Sequence, residues 1–141
     1  MDIIYVNNTT TINEDMLSGG FFTGWPNPPS AAMHLEILRN SYCAYMAVDT
    51  ATGKVVGFIN AISDGVLSSY IPLLEVLPKY QGHGIGSKLV QHILGNLEGL
   101  YMIDIICDEE ITPFYIKHGA MMHGRACIFR NYGAQSGRRL I

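Results

Sequence analysis

Apolar residues follow two spacings along the chain, and these predict the order of its strands and helices. Short, nearly continuous apolar runs predict β-strands at residues 3–6, 42–48, 55–62, 70–77, 101–107 and 126–129. Steps of three and four residues predict amphipathic helices at about 30–40 and 84–96, and a third, shorter helix begins at about Pro113. The order is strand, helix, three strands, helix, strand, helix and final strands, which predicts a mixed α/β fold of α+β type.

Two of these runs differ from the others because they are apolar at nearly every position. They lie at 70–77 and 101–107, on either side of the helix at 84–96. Uninterrupted apolar strands joined by a helix are typical of parallel neighbours that are covered on both faces. Strands 42–48 and 55–62 are instead joined by a short polar turn, which predicts an antiparallel hairpin.

Length and charge limit the kinds of partner. A chain of 141 residues predicts one domain, 1–141, with residues 131–141 as a polar tail. The net charge of −3 argues against nucleic acid as the main partner, since a duplex binder needs a basic face. No apolar run is long enough to cross a membrane, and the N-terminus does not resemble a signal peptide. We therefore expect a cytoplasmic protein.

The cysteines predict neither disulfides nor a metal site. Cys43, Cys107 and Cys127 are widely spaced and lie in or beside apolar segments. Their odd number and spacing predict free, buried thiols in a reducing compartment. A nucleophilic role is disfavoured, because apolar surroundings raise the pKa of a thiol.

A glycine-rich turn separates the run at 70–77 from the helix at 84–96. Gly82, Gly84 and Gly86 stand at every second position. Glycine allows a tight turn, and the first amides of the next helix can bind an anion such as phosphate. The spacing differs from both the Gly-x-Gly-x-x-Gly dinucleotide fingerprint and the P-loop. From the residues alone, a simple turn that binds no ligand is a valid alternative.

Two motifs in the sequence resemble those of one acetyltransferase family. The stretch Val76-x-Pro78-x-Tyr80-Gln81-Gly82-x-Gly84-Ile85-Gly86-x-x-Leu89 is similar to the acetyl-CoA-binding signature of the GNAT N-acetyltransferase superfamily. About 25 residues later, Pro113-Phe114-Tyr115-x-Lys117-x-Gly119 resembles the family's Phe-Tyr-x-Lys-x-Gly helix. The resemblance implies the GNAT fold, which is a mostly antiparallel mixed sheet of about six to seven strands, with a central splayed parallel pair and flanking helices.

The same resemblance implies acetyl-CoA (coenzyme A) as the donor and assigns residues to it. A backbone amide near Val76 would polarise the thioester carbonyl, and the pantetheine arm would pair with the strand that ends there. The turn and the start of its helix would hold the pyrophosphate of coenzyme A through Gln81, Gly82, His83, Gly84, Ile85, Gly86 and Ser87.

The second motif supplies the candidate general acid. By resemblance, Tyr115 protonates the departing thiolate; the alternative is a tyrosine that only packs in the core. The sequence also departs from the family pattern. Asp108 stands where the family usually has an asparagine beside the cofactor. A carboxylate near phosphates is unfavourable, so Asp108 is expected to face the acceptor instead.

Two carboxylates in the apolar runs are candidates for acceptor chemistry. Glu75 and Asp104 lie in strands predicted to be neighbours, where an unpaired charge is costly. In the functional interpretation, Glu75 is the general base that accepts the proton of the amine, while Asp104 attracts a cationic acceptor. In the alternative, both carboxylates bind backbone amides or basic side chains and hold the strands apart.

The acceptor itself is not specified by these residues. Phe22 and Trp25, with Phe21, lie in an early glycine- and proline-rich loop and either line the acceptor site or cover the core. The primary hypothesis is transfer of acetyl from acetyl-CoA to a primary amine, small molecule or peptide, by direct attack in a ternary complex. The alternative is an acyl-CoA-binding module without turnover. A homodimer is possible, and its contacts are expected at the last strand and tail.

Overall fold

The computed structural model describes residues 1–118 and 121–137, and within them the fold consists of five strands and three α-helices. The strands are β1 (Ile3–Val6), β2 (Cys43–Asp49), β3 (Lys54–Ser63), β4 (Ser68–Val76) and β5 (Met102–Ile105). The helices are α1 (Ala31–Arg39), α2 (Ile85–Asn96) and α3 (Thr112–Lys117). Short 3-10 turns occur in the connecting segments, including Asp15–Leu17 and Pro78–Tyr80.

The strands form one mixed sheet in the order β1-β2-β3-β4-β5. The first four strands pair antiparallel, while β4 and β5 pair parallel across the α2 crossover. Gly57 and Phe58, consecutive in β3, point to opposite faces. Gly57 lies under Ile85 and Leu89 of α2, and the Phe58 ring lies 4.3 Å from the ring of His34 in α1. The two longer helices therefore cover opposite faces of the sheet.

The parallel pair separates partway along β4. Residues Ser68 to Ile71 pair with Met102 to Ile105, and the pairing stops at Pro72. Proline has no N–H to donate to a neighbouring strand. The β3–β4 register also shifts between Asn60 and Ile62, so that β4 carries a bulge at the same place. Residues 72–76 consequently have an edge of β4 that no strand occupies.

The predicted elements are confirmed apart from the end of the chain. The expected count of six to seven strands is wrong, because residues 126–129 have no regular structure and five strands are found. Strand-forming residues make a strand only when they pair with a neighbouring strand, and these residues pair with none in the described part of the chain. Gly119 of the second motif and residues 138–141 of the predicted tail lie outside the described residues.

The exposure of the cysteines and of β5 also differs from expectation. All three cysteines are free, but Cys107 and Cys127 are exposed and Cys43 is only half-buried, so the prediction of buried thiols is wrong for the first two. β5 lies at the edge of the sheet, with Met102 and Asp104 exposed, and it is not covered on both faces.

Within the described residues, no helix combines the length and the hydropathy that crossing a bilayer requires. The same part of the chain holds no group of three His, Cys, Asp or Glu side chains placed to bind a metal ion.

Candidate active site

The glycine turn presents a row of backbone amides to open space. Gly82 and Gly84 both have φ of +80°, a conformation that favours glycine, and a Cβ added at either would meet no atom within 4 Å. The first hydrogen bond of α2 runs from the Lys88 N–H to the Gly84 carbonyl. Among the described residues, the amides of residues 82–87 donate to no acceptor. Six such N–H groups at a helix N-terminus are suited to bind an anion, and they are called the cradle below.

Side chains on either side fix the position of this turn. The buried Tyr80 hydroxyl donates to Asp49 Oδ2 at 2.7 Å, which ties the 3-10 turn Pro78–Tyr80 to the end of β2. This bond lowers the pKa of Asp49 and raises that of Tyr80. The Gln81 side-chain amide donates to the Val76 carbonyl at 2.9 Å and so turns back onto the end of β4. The cradle therefore begins where the unpaired edge of β4 ends.

Helix α3 packs beside the start of α2. A Cβ at Gly86 would lie 3.6 Å from Phe114 Cζ and 3.8 Å from Val76 Cγ2, so only a small residue keeps this approach. The Ser87 hydroxyl and His118 Nε2 are 3.0 Å apart and hydrogen-bonded. These contacts bring the second motif against the first, although 31 residues separate Ser87 from His118. No feature of the sequence predicted the role of His118.

Tyr115 lies next to these contacts and packs against the core. Its ring makes an edge contact with Phe114 at 5.1 Å between centroids. Burial, with a smaller contribution from Cys107, raises the pKa of the Tyr115 phenol to about 12. The phenol is therefore protonated throughout the physiological pH range and can donate a proton or a hydrogen bond.

Glu75 lies on the separated part of β4, at the wall of a cavity of about 210 Å³. The other walls are aromatic and aliphatic, apart from one threonine: Phe22, Thr23, Trp25, Phe58, Leu73 and Leu74. The carboxylate accepts the Phe22 N–H with both oxygens, at 3.0 and 3.2 Å. Burial raises the pKa of Glu75, and the Phe22 amide offsets part of that rise. A partly buried carboxylate with a raised pKa at the wall of a cavity is suited to accept a proton.

The loop that forms this cavity is held in an unusual conformation. Phe22 has φ of +64°, which is strained for a residue with a Cβ. Its ring is buried against those of His34 and Phe58, and its amide is fixed by Glu75. Ring packing and the bond to the carboxylate together compensate the backbone strain. Phe22 therefore both covers the core and lines the cavity with Trp25, so the two alternatives for this loop are compatible.

His34 is a feature that sequence reasoning missed. It lies in α1, is 1% exposed, and is surrounded by Phe21, Phe22 and Phe58. Its Nε2 has no hydrogen-bond partner in the described part of the chain. Burial lowers the pKa of the imidazole to about 4, so the ring is neutral at physiological pH. His34 also lines a second cavity, of about 180 Å³, together with Phe21 and Phe22.

The structure brings some of the predicted residues together and keeps others apart. Residues Gln81 to Ser87 form one surface, and α3 places Tyr115 beside it. Asp104 pairs with Tyr70, five positions before Glu75, so the two carboxylates are roughly 16 Å apart along the strands. Asp104 and Asp108 are both exposed, so Asp104 lies at the surface and not beside Glu75.

Comparison with known proteins agrees with this geometry. The family model described as acetyltransferase (GNAT) family matches residues 12–119. The crystal structure of a candidate acetyltransferase from Deinococcus radiodurans R1 is 37% identical, covers 99% of this chain and 95% of its own, and superposes with a TM-score of 0.93. A GNAT family acetyltransferase from Streptococcus pneumoniae TIGR4 is 30% identical over 92% of this chain and 100% of its own, with a TM-score of 0.70.

A curated relative also matches part of the chain. An uncharacterised ycf52-like N-acetyltransferase from Prochlorococcus marinus is 28% identical over 80 residues, which are 54% of this chain and 44% of the relative. The chain spans less than half the length of the first curated relatives that it matches. The family model covers both motifs, the separated strands and the amide cradle, and the chain therefore belongs to the GNAT family of acetyltransferases.

Proposed function

We propose that the protein transfers the acetyl group of acetyl-CoA to a primary amine by direct attack in a ternary complex. The observation that carries the proposal is the cradle of unpaired amides at residues 82–87, which opens beside the free edge of β4. Backbone amides at a helix N-terminus match the charge of a pyrophosphate. The free edge at 72–76 offers the backbone groups that an extended pantetheine chain needs, as an added strand would.

The residues of the cradle fit coenzyme A in shape as well as charge. Positive φ at Gly82 and Gly84, with open space where a side chain would stand, leaves room for phosphate oxygens against the amides. When bound, acetyl-CoA supplies the acetyl group as a thioester. In this proposal, a backbone amide near Val76 polarises the thioester carbonyl.

Two side chains of this chain carry the proton transfers. Glu75 accepts the proton of the amine, directly or through water, as the nitrogen bonds to the acetyl carbon. Tyr115 donates its phenolic proton to the sulfur as the carbon–sulfur bond breaks. Because the pKa of Tyr115 is about 12, it is a weaker acid than a free thiol, so the proton moves in step with bond breaking. Solvent then returns a proton to the phenolate.

The cavity at Glu75 supports a particular kind of acceptor. Aromatic and aliphatic side chains line it together with Glu75 and Thr23, and its volume of about 210 Å³ suits a small body or the end of a longer one. We expect an amine carried on an apolar or aromatic group. The exposed carboxylates of Asp104 and Asp108 would attract the cationic form of such an amine to the molecule.

A panel of amines tests the activity. The purified protein is incubated with acetyl-CoA and aromatic, aliphatic, amino-acid, peptide and polar aminosugar amines, and release of free thiol is measured. We expect release with amines on apolar bodies. Binding of coenzyme A without release from any amine would support the acyl-CoA-binding module, and failure to bind coenzyme A would contradict both functions.

Replacement of Tyr115 by phenylalanine tests the general acid. We expect Tyr115→Phe to lower kcat by roughly ten- to ten-thousand-fold, because the sulfur loses its proton donor while the ring packing remains. Binding of coenzyme A, measured by calorimetry, should change little. Tyr101→Phe is the matched control, since Tyr101 is 83% exposed and should keep full activity. Unchanged turnover of Tyr115→Phe would remove this residue from the mechanism.

A further inference from the structure

The cavity that His34 lines has no part in the acetyl transfer proposed above. It is called the α1 cavity below, because the residues at which that helix starts, Ser30 and Ala31, belong to its lining. The rest of the lining includes the apolar side chains of Leu17 and Phe21, and the volume is about 180 Å³. An apolar cavity of about 150 Å³ can hold benzene, so the α1 cavity has room for a small organic molecule.

Two backbone amides at the start of α1 have no acceptor. Ser30 caps the helix, since its side chain accepts the Met33 N–H at 3.1 Å and its carbonyl accepts the His34 N–H at 2.8 Å. The amides of Ala31 and Ala32 donate to no acceptor in the described part of the chain. The first N–H groups of a helix point out of its N-terminal end and carry partial positive charge. This end of α1 therefore offers two donors to a molecule in the cavity.

His34 adds a buried polar atom that also lacks a partner. The residue is 1% exposed, and its Nε2 makes no hydrogen bond within the described ranges. A buried polar atom without a partner destabilises a fold, and a phenylalanine would pack among the same rings without this cost. In the tautomer that carries its proton on Nε2, the ring is a donor. A hydrogen-bond acceptor on a bound molecule would supply the missing partner.

Lys54 brings a positive charge to the same cavity. Its Nζ donates to the Asp15 carbonyl at 2.7 Å and to Oγ of the lining residue Ser18 at 3.3 Å. The ammonium group forms no ion pair with a described residue. None of the described lining residues is acidic, and the nearby acids Glu14 and Asp15 are exposed and lie outside the lining. The charges here favour an anion over a cation.

We propose that the α1 cavity binds the carboxylate group of a small organic molecule. The carboxylate oxygens accept hydrogen bonds from the amides of Ala31 and Ala32 and from Nε2 of His34. The ammonium group of Lys54 balances a single negative charge, and the body of the molecule packs against the apolar part of the lining. Inorganic phosphate suits the cavity less well, because it carries more charge and has no apolar body.

The site adjoins the cavity at Glu75 and is separate from it. Phe22 is the one described residue that lines both cavities. Its ring lies 4.9 Å from that of His34, and its N–H is bound by the Glu75 carboxylate. A molecule in the α1 cavity therefore contacts the same loop that forms the cavity at Glu75. Binding there does not depend on acetyl transfer, so its test needs no turnover.

Benzoate tests the site, with benzamide as its neutral match. Each compound is titrated into the nitrogen-15-labelled protein, and the backbone amide signals are followed by NMR. Benzoate should bind with a roughly millimolar Kd, as expected for so small a ligand, and should shift the signals of Ala31 and Ala32. Benzamide has the same shape without the charge and should bind roughly tenfold more weakly. Absence of these shifts, or equal binding of the two compounds, would overturn the proposal.

Two substitutions test the side chains. His34→Phe keeps a ring in the same surroundings but has no Nε2, and it should weaken benzoate binding roughly tenfold. Lys54→Gln should weaken it roughly two- to fivefold, because the exposed charge is partly screened by solvent. Lys88→Gln makes the same charge change in α2, on the other face of the sheet, and should bind benzoate normally. Normal binding by His34→Phe would overturn the proposal.

The cradle provides an internal control for the same titrations. Benzoate should leave the signals of residues 82–87 in place, and shifts there instead of at Ala31 and Ala32 would contradict the site. Inorganic phosphate that binds the α1 cavity more tightly than benzoate would contradict the choice of a carboxylate. Circular dichroism checks that the variants are folded, and calorimetry should show natural coenzyme A binding in each. Loss of the carboxylate site and failure of the proposed function are thereby distinguished.

Discussion

At the scale of the residue, one substitution separates the contact that Glu75 makes from the role that we propose for it. Its carboxylate fixes the strained Phe22 amide, and we assign it the proton of the amine. Glutamine keeps an oxygen that can accept the Phe22 N–H but cannot serve as a base. Glu75→Gln should therefore preserve the conformation of the loop and abolish proton acceptance at this position.

The pH profile of kcat distinguishes these roles. Because burial raises the pKa of Glu75, activity should rise with pH through a value above that of an ordinary glutamate, as the base loses its proton. Glu75→Gln should lower kcat by roughly ten- to ten-thousand-fold and remove this limb. Glu98→Gln, at an exposed position, is the control and should keep the natural profile. The same acid limb in Glu75→Gln would mean that another group is the base.

His34 predicts a dependence of stability on pH. Its pKa is about 4 in the folded chain and about 6.5 when exposed, so the unfolded state binds more protons between these values. Stability is therefore greatest above pH 6.5 and falls as the pH drops toward 4. From pH 7 to pH 5 this residue alone should lower the free energy of unfolding by about 2 kcal/mol.

Urea unfolding at several pH values measures this effect. His34→Phe should flatten the change between pH 7 and pH 5, since phenylalanine does not titrate and suits the aromatic surroundings. His83→Gln removes an exposed histidine and should leave the dependence unchanged. A dependence that persists in His34→Phe would assign it to other groups.

At the scale of the element, substitution by alanine should have opposite effects on stability at two glycines, one that begins α2 and one inside it. Gly84 has φ of +80° and begins α2, whereas Gly95 lies inside α2. Gly84→Ala should destabilise the protein by roughly 1–2 kcal/mol and weaken coenzyme A binding about tenfold, because its methyl group projects into the cradle. Gly95→Ala should stabilise by about 0.5–1 kcal/mol and leave binding unchanged. Calorimetry measures coenzyme A binding, and urea unfolding measures stability. A Gly84→Ala protein that binds coenzyme A as tightly as the natural protein would contradict the role of the cradle.

The elements show which parts of the structure the sequence can predict. Local patterns placed β1 to β4, α1 and α2, because apolar spacing and the glycine turn act over a few residues. Residues 126–129 pair with no strand in the described part of the chain, and their own apolar pattern gives no sign of this. The Phe22–Glu75 bond joins residues 53 positions apart, and His34 is buried by rings from a loop and from β3. Such contacts depend on the assembled fold and leave no local signal.

At the scale of the whole molecule, binding of coenzyme A should stabilise the fold as a unit. The cradle joins the end of β4 to α2 and lies beside α3, so a ligand there contacts parts that unfolding would separate. At a ligand concentration one hundred times Kd, the gain is about 2.7 kcal/mol. For a chain of 141 residues, this corresponds to a rise in Tm of about 5 to 10 °C.

Thermal unfolding with and without coenzyme A measures this linkage. The shift should grow with the logarithm of ligand concentration, since the ligand binds the folded state alone. Dephospho-coenzyme A keeps the pyrophosphate and should give most of the shift in Tm. Pantetheine has no pyrophosphate to accept hydrogen bonds from the amides of residues 82–87, so it should give a much smaller shift. A pantetheine shift as large as that of coenzyme A would place the binding energy on the edge of β4 instead of the cradle.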